Sequence, residues 1–300
     1  MTNHKYVGVL GGGGSLGADT IGKLKKLQPN YDAVICTSTG ALMGGLVLLK
    51  KYDRLEEAYT TTTQQDIFNI NPFKKDGSIR KGKLAWRIAR GKVTLGESKP
   101  LIDLVKRYFT YIDYKLIKEL QKEYTVVVQE MSPKGYEHRS KKRYISIYDY
   151  EYDEFCQFIA ASASVQSVFS LIRINGRLYG DGGLTETVAL KKALDFNPEN
   201  IDVFTHDKQP LTKEDLKKLD QDKTPTPDFC GSVPLLERSF VIQREEIQKD
   251  DLKGGIDINN LSNEKAEINV YYLSEGVDYR AMEFNPEKMK QAIELGYNSI

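Results

Sequence analysis

Residues 31–46 read YDAVICTSTGALMGGL, and this stretch decides the fold. A short apolar run from Ala33 to Cys36 ends abruptly in Thr37-Ser38-Thr39-Gly40, then gives way to an apolar, small-residue helical pattern. Strand, sharp turn and helix in that order form a nucleophile elbow, with the Ser38 hydroxyl exposed on a turn at the carboxyl end of a strand. Upstream, the run Gly11-Gly12-Gly13-Gly14-Ser15-Leu16-Gly17 follows the apolar strand YVGVL. Downstream, Asp181-Gly182-Gly183 follows an Asn-Gly hairpin. Together the three segments point to acyl transfer.

Outward from the elbow, strand and helix signals alternate, which predicts a three-layer α/β/α fold with a mostly parallel central sheet. Strands are expected at 5–10, 31–36, 124–129, 144–148, 201–205 and 268–273, and helices over 16–28, 39–50, 98–109, 153–163, 232–249 and 286–297. The last helix opens on Asn285-Pro286-Glu287, a capping residue followed by proline at the first helical position. Periodicity lapses between Asn69 and Gly96, and again from Asp220 to Pro234, where Pro225, Pro227 and Pro234 cluster. These read as a cap and a surface loop inside one domain spanning 1–300.

The chain has 300 residues, 40% hydrophobic and 28% charged, which allows a sizeable core and is ordinary for a soluble globular protein. A net charge of +1 argues against global nucleic-acid binding. Cys36, Cys156 and Cys230 have neither framework nor metal spacing, which fits a reducing compartment. No apolar stretch approaches the ~18 residues of a membrane span, and the amino terminus lacks a signal-peptide core. The expected setting is the cytoplasm.

A serine hydroxyl needs an adjacent base and donors aimed at the developing oxyanion. The chain holds three histidines, His4, His138 and His206. Ser38, Asp181, His206 is the chain order of an α/β-hydrolase triad, but that fold places its serine after several strands, whereas here only the second apolar run precedes it. Asp181 is the other base. In IRINGRLYGDGG, Asn175-Gly176 favours a type I′ turn that pins two strands and delivers Asp181 at their exit. Gly182 and Gly183 leave room beside the carboxylate for another backbone.

The glycine run supports two readings. Gly12, Gly14 and Gly17 match G-x-G-x-x-G between a strand and a helix, the dinucleotide fingerprint, with Asp32 near the spacing of a ribose-binding acid. That acid should end the second strand, and Asp32 begins it. For acyl chemistry, the amides of Gly12, Gly13 and Gly14 can turn toward an oxyanion, helped by the positive end of the following helix.

The three motifs in this order and spacing resemble the patatin-like phospholipases, from the first strand to the terminal helix. Members carry a glycine-rich oxyanion segment, a Gly-x-Ser-x-Gly elbow and an Asp-Gly-Gly or Asp-Gly-Ala motif. The segment AASASVQSVFSLIRINGRLYGDGG is similar to the family's helix, apolar loop and hairpin, and FNPEKMKQAIELGY to its closing helix. The resemblance implies a serine lipid acyl hydrolase acting on phospholipids or lysophospholipids, without metal or organic cofactor. It assigns Ser38 as nucleophile, Asp181 as proton acceptor, Gly12, Gly13 and Gly14 as oxyanion hole, and Gly17, Gly40, Gly182 and Gly183 as motif glycines. Cys36 stands where the elbow's first glycine is usual, and Leu16 where Arg or Lys is common. Those departures leave a catalytically silent lipid-binding protein as the alternative, with a dinucleotide-binding oxidoreductase behind it.

A basic segment at about 69–110 completes the reading. Lys74, Lys75, Arg80, Lys81, Lys83, Arg87, Arg90 and Lys92 surround Trp86, the sole tryptophan. An indole among cations suits peripheral contact with an anionic membrane, and equally a solvated basic face with Trp86 packed inward.

Overall fold

Strand β1 (Tyr6–Leu10) lies inside a sheet ordered β5-β6-β3-β2-β1-β7-β8, with β4 paired to β3 off that path. The computed structural model describes residues 4–67, 97–132, 140–166, 168–210, 232–279 and 281–300. Strands β2 (Ala33–Thr37), β3 (Glu123–Met131), β7 (Asn200–Phe204) and β8 (Glu267–Tyr271) run parallel to β1 through successive neighbours. Strands β4 (Lys141–Ser146), β5 (Ile172–Ile174) and β6 (Arg177–Asp181) are antiparallel additions on the β3 side.

The central strands β1 and β2 are largely apolar because both sheet faces are covered. Val34, Cys36, Tyr124, Val126 and Val128 join one core, while Val7, Val9, Ile35, Val127, Ile201 and Val203 join the other. Helices α1 (Gly17–Leu27), α2 (Thr39–Leu48), α3 (Tyr52–Thr61), α4 (Gln64–Ile67), α5 (Lys99–Tyr108), α6 (Tyr111–Glu119) and α7 (Tyr152–Ser162) follow in order. Short α8 (Leu190–Leu194), long α9 (Ser232–Leu261) and α10 (Pro286–Asn298) complete the set among the described residues. Ile21, Met43, Leu55, Leu101, Ile117, Phe155 and Met289 bring α1, α2, α3, α5, α6, α7 and α10 onto the first face. Leu190 and Ala193 of α8, with Leu252 and Ile256 of α9, cover the second. The result is the three-layer α/β/α architecture expected from the sequence.

Several elements differ from the expectation. Helices α3, α4, α6 and α8 were not anticipated; α3 and α6 are rich in polar residues and Tyr, so their buried stripes of Tyr52, Leu55 and Tyr59, and of Tyr114 and Ile117, are thin. Strand β4 begins at Lys141, three residues before the expected start at Tyr144, and ends at Ser146, two before the expected end at Tyr148. Helix α9 begins at Ser232, so Pro234 belongs to its first turn, where a missing N–H costs nothing, rather than to a surface loop. The stretch 69–96 with Trp86, together with Cys230 and His138, lies outside the described residues. No helix among the described residues is long and apolar enough to cross a membrane.

Candidate active site

Ser38 follows the last residue of β2 and caps α2, its carbonyl accepting the Ala41 N–H at 2.9 Å. Its backbone sits at φ 55, ψ −118, a conformation that costs a non-glycine residue energy and is held only by its surroundings. Two contacts hold it. A Cβ at Gly40 would lie 2.1 Å from the Leu10 carbonyl oxygen, so α2 can seat on the end of β1 only with glycine there. The Ser162 hydroxyl accepts the Ser38 N–H at 2.9 Å and donates to the Val127 carbonyl at 2.6 Å. Cys36 causes no crowding in the elbow: it is fully buried, and the absence of a side chain at Gly44, where a Cβ would come within 2.7 Å of Cys36 Sγ, makes its space. Burial pushes that thiol well above its usual pKa.

Asp181 reaches Ser38 through the register of β3. Strand β4 occupies one edge of β3 across Thr125–Glu130, so β2 and β6 must share the other edge. There β2 pairs with Glu123–Val127 and β6 with Val128–Met131, and the two strands meet end to end: Thr37 lies opposite Val127, and Asp181 opposite Val128. The hairpin that delivers β6 turns at Asn175 (φ 48) and Gly176 (φ 79), both left-handed, as a type I′ turn requires. Gly182 packs on β3, where a Cβ would come within 2.4 Å of the Val127 carbonyl oxygen.

The Ser38 hydroxyl donates to Asp181 Oδ2 at 2.7 Å, and the Gly183 N–H donates to Asp181 Oδ1, also at 2.7 Å. Both side chains are buried. Burial pushes the Asp181 carboxyl up to about 7, against the opposing pull of the Ser38 and Gly183 hydrogen bonds. A carboxylate so placed exchanges a proton readily near neutral pH.

The glycine loop after β1 stands beside this pair. Gly12 abuts Ser38, since a Cβ there would lie 3.1 Å from Ser38 Cβ. Its N–H donates to the Thr187 carbonyl at 3.2 Å, and the Gly11 N–H to Phe204 at 2.9 Å. The Ser15 N–H donates to the Ala281 carbonyl at 2.8 Å. The amides of Gly13 and Gly14 take no backbone acceptor among the described residues. Asp251 of α9 accepts the N–H groups of Thr187 and Val188, tying that helix to the segment on which Gly12 rests. Sequence reasoning missed Ser162, Thr187 and Asp251; Ser162 lies in the AASAS segment, where nothing marks its hydroxyl, and the other two stand in no motif.

His206 does not join Ser38 and Asp181 in a triad. Its Nδ1 lies 3.2 Å from the Gly12 carbonyl and its Nε2 3.1 Å from Thr20 Oγ1. Asp32 accepts the Tyr6 N–H at 3.0 Å where β1 and β2 begin, at the opposite end of the strands from the glycine loop, so it cannot hold a ribose there.

From Ser38 an apolar cavity opens between the helices of the first face, about 870 Å³ of empty space including its mouth. Leu42 and Leu46 of α2 line it below Ser38, with Leu55, Leu104, Phe169 and Phe284 around them.

A family model described as patatin-like phospholipase matches residues 8–194, which take in the glycine loop, the elbow and the Asp-Gly-Gly segment. The chain belongs to that family, and the membership supports lipid acyl hydrolysis in general. Among solved structures, the crystal structure of VipD from Legionella pneumophila is similar, with a TM-score of 0.45 and 15% identity. The match covers 99% of this chain and 66% of the VipD chain. A search of curated proteins found no match.

Proposed function

We propose that the protein hydrolyses carboxyl esters of phospholipids or lysophospholipids through a Ser38–Asp181 dyad. The observation that carries this reading is the 2.7 Å hydrogen bond to a buried Asp181 from Ser38, which lines an apolar cavity. Asp181 Oδ2 takes the Ser38 proton as Oγ attacks the ester carbonyl carbon. The oxyanion is held by the N–H groups of Gly13 and Gly14 and by that of Thr39, the residue after the nucleophile. Gly12, expected in the hole, supports it from behind, because its N–H is engaged with Thr187. Collapse breaks the ester C–O bond, and Asp181 returns the proton to the departing alcohol. Water then gives its proton to Asp181 and attacks the acyl-serine, releasing the fatty acid and restoring Ser38. The acyl chain lies in the cavity.

The same reading treats 1–300 as one domain with the basic segment 69–110 as a cap meeting anionic lipid, in a cytoplasmic protein that contacts membranes peripherally. Mass spectrometry of products from mixed phospholipid vesicles tests the reaction. Free fatty acid and the matching deacylated lipid are expected with the unaltered protein and not with Ser38→Ala. Vesicle binding without products from the unaltered protein would make it a silent lipid binder instead.

A further inference from the structure

The strand order β2-β1-β7 sets Ser38 and His206 on opposite flanks of the glycine loop, since Ser38 follows β2 and His206 lies two residues beyond β7. Gly12 abuts Ser38 on one flank, and its carbonyl meets His206 Nδ1 at 3.2 Å on the other. A carbonyl only accepts, so Nδ1 carries the hydrogen and donates. Nε2 then accepts from the Thr20 hydroxyl at 3.1 Å, and both residues are buried. The ring is thus held from α1 and pressed against the loop: a Cβ at Gly13 would come within 2.4 Å of it.

The Gly12 carbonyl and the Gly13 N–H belong to one planar trans peptide and therefore point in opposite directions. Drawing the carbonyl toward His206 turns the Gly13 N–H toward the Ser38 flank. We propose that His206 is a positioning residue that locks the Gly12–Gly13 peptide with its N–H facing the oxyanion. Glycine on both sides of that peptide leaves its rotation nearly unhindered by the chain itself. Without the His206 bond the unit can turn over and set a carbonyl oxygen where a donor is needed. The inference rests on the reading of Ser38 as nucleophile.

The test compares His206→Asn with His206→Gln. The Asn amide nitrogen falls near the place of Nδ1 and keeps a donor for Gly12; the Gln amide nitrogen falls near Nε2 and keeps only the Thr20 side. Steady-state kinetics on a short soluble ester should give a kcat for His206→Asn within a few-fold of the unaltered protein. For His206→Gln, kcat should fall about 10- to 100-fold, with KM changed little, as when an oxyanion donor is misdirected. Thermal melting is measured alongside, and if His206→Gln does not fold, His206→Leu takes its place. Equal kcat for the two substitutions, whether both high or both low, overturns the proposal, because a packing role does not distinguish them. Fluorophosphonate labelling of the unaltered protein is the separate control. Capture at Ser38 keeps the underlying reading, and capture nowhere near Ser38 removes it and the inference with it.

Discussion

Asp181→Asn should be more stable than the unaltered protein at alkaline pH and lose that advantage as pH falls. Burial raises the Asp181 carboxyl from 3.8 to about 7 in the folded protein. A carboxyl with a raised folded pKa contributes stability that is fully present below the unfolded pKa and is lost as pH rises through the folded one. At about 1.36 kcal/mol per pKa unit, the whole span is worth about 4 kcal/mol. More than a third of it is already lost at pH 5 and nearly all by pH 8, so the difference between those two pH values is about 2–3 kcal/mol. Asparagine carries no charge at any pH, keeps an oxygen for the Gly183 N–H, and escapes this loss. Asp251, raised by burial to about 6, titrates alike in both proteins and cancels. Melting curves for both, taken at pH 5 and pH 8, should therefore show the Asn variant gaining roughly 5 °C on the unaltered protein across that interval. In the same interval kcat/KM of the unaltered protein should rise with a slope of one and level off above about pH 7. A melting difference that stays flat from pH 5 to pH 8 would refute the reasoning, since it would mean the carboxyl titrates as an ordinary surface group and is unsuited to take a serine proton.

Ser38→Ala and Asp181→Asn should each abolish ester hydrolysis, and the double variant should be no slower than either single, because groups that act as a unit do not add; residual rates measured on one ester decide it. Gly13→Val should cut turnover by ~10² or more, by driving the His206 ring away and misdirecting the amide, with substrate affinity changed less. Leu46 lies eight residues along α2 from Ser38, about 12 Å down the cavity. Leu46→Trp should therefore lower kcat/KM on long-chain esters at least tenfold and leave butyryl esters nearly untouched, at a stability cost of about 1–3 kcal/mol. Neutralising Lys81, Lys83, Arg87 and Arg90 together should weaken binding to anionic vesicles, where each cation contributes about 1 kcal/mol, while sparing a short soluble ester; equal loss on both substrates would mean that the cap shapes the active site.

How legible this was depended on whether local chemistry or tertiary pairing made each feature. Ser38 and Asn175-Gly176 announce themselves because a turn with positive φ admits few residue types, and Gly40 and Gly182 stand where another backbone comes close. The parallel strands were readable because burial on both faces gives each a short run rich in Val and Ile. Ser162 was not, since its hydroxyl matters only because it bridges Ser38 to Val127, and Ser38 is 124 positions away along the chain. Likewise, His206 drew attention as a base from its chain order, while its contacts with Gly12 and Thr20 depend on β7 adding to β1 rather than to β2. The engagement of the Gly12 amide by Thr187 is of the same kind.

Because β2 and β6 meet head to head along a single edge of β3, that strand acts as a ruler for the chemistry. The interval between Ser38 and Asp181 is fixed by consecutive residues of β3, Val127 and Val128, and by no connecting loop. The turn between β4 and α7 can lengthen or shorten without moving the two groups apart, provided the hairpin still pairs in register and α7 still presents Ser162 to Ser38. A slip of β6 by one residue would do what no loop insertion can. It would carry the carboxylate about 3.3 Å along the edge and turn it to the opposite face of the sheet.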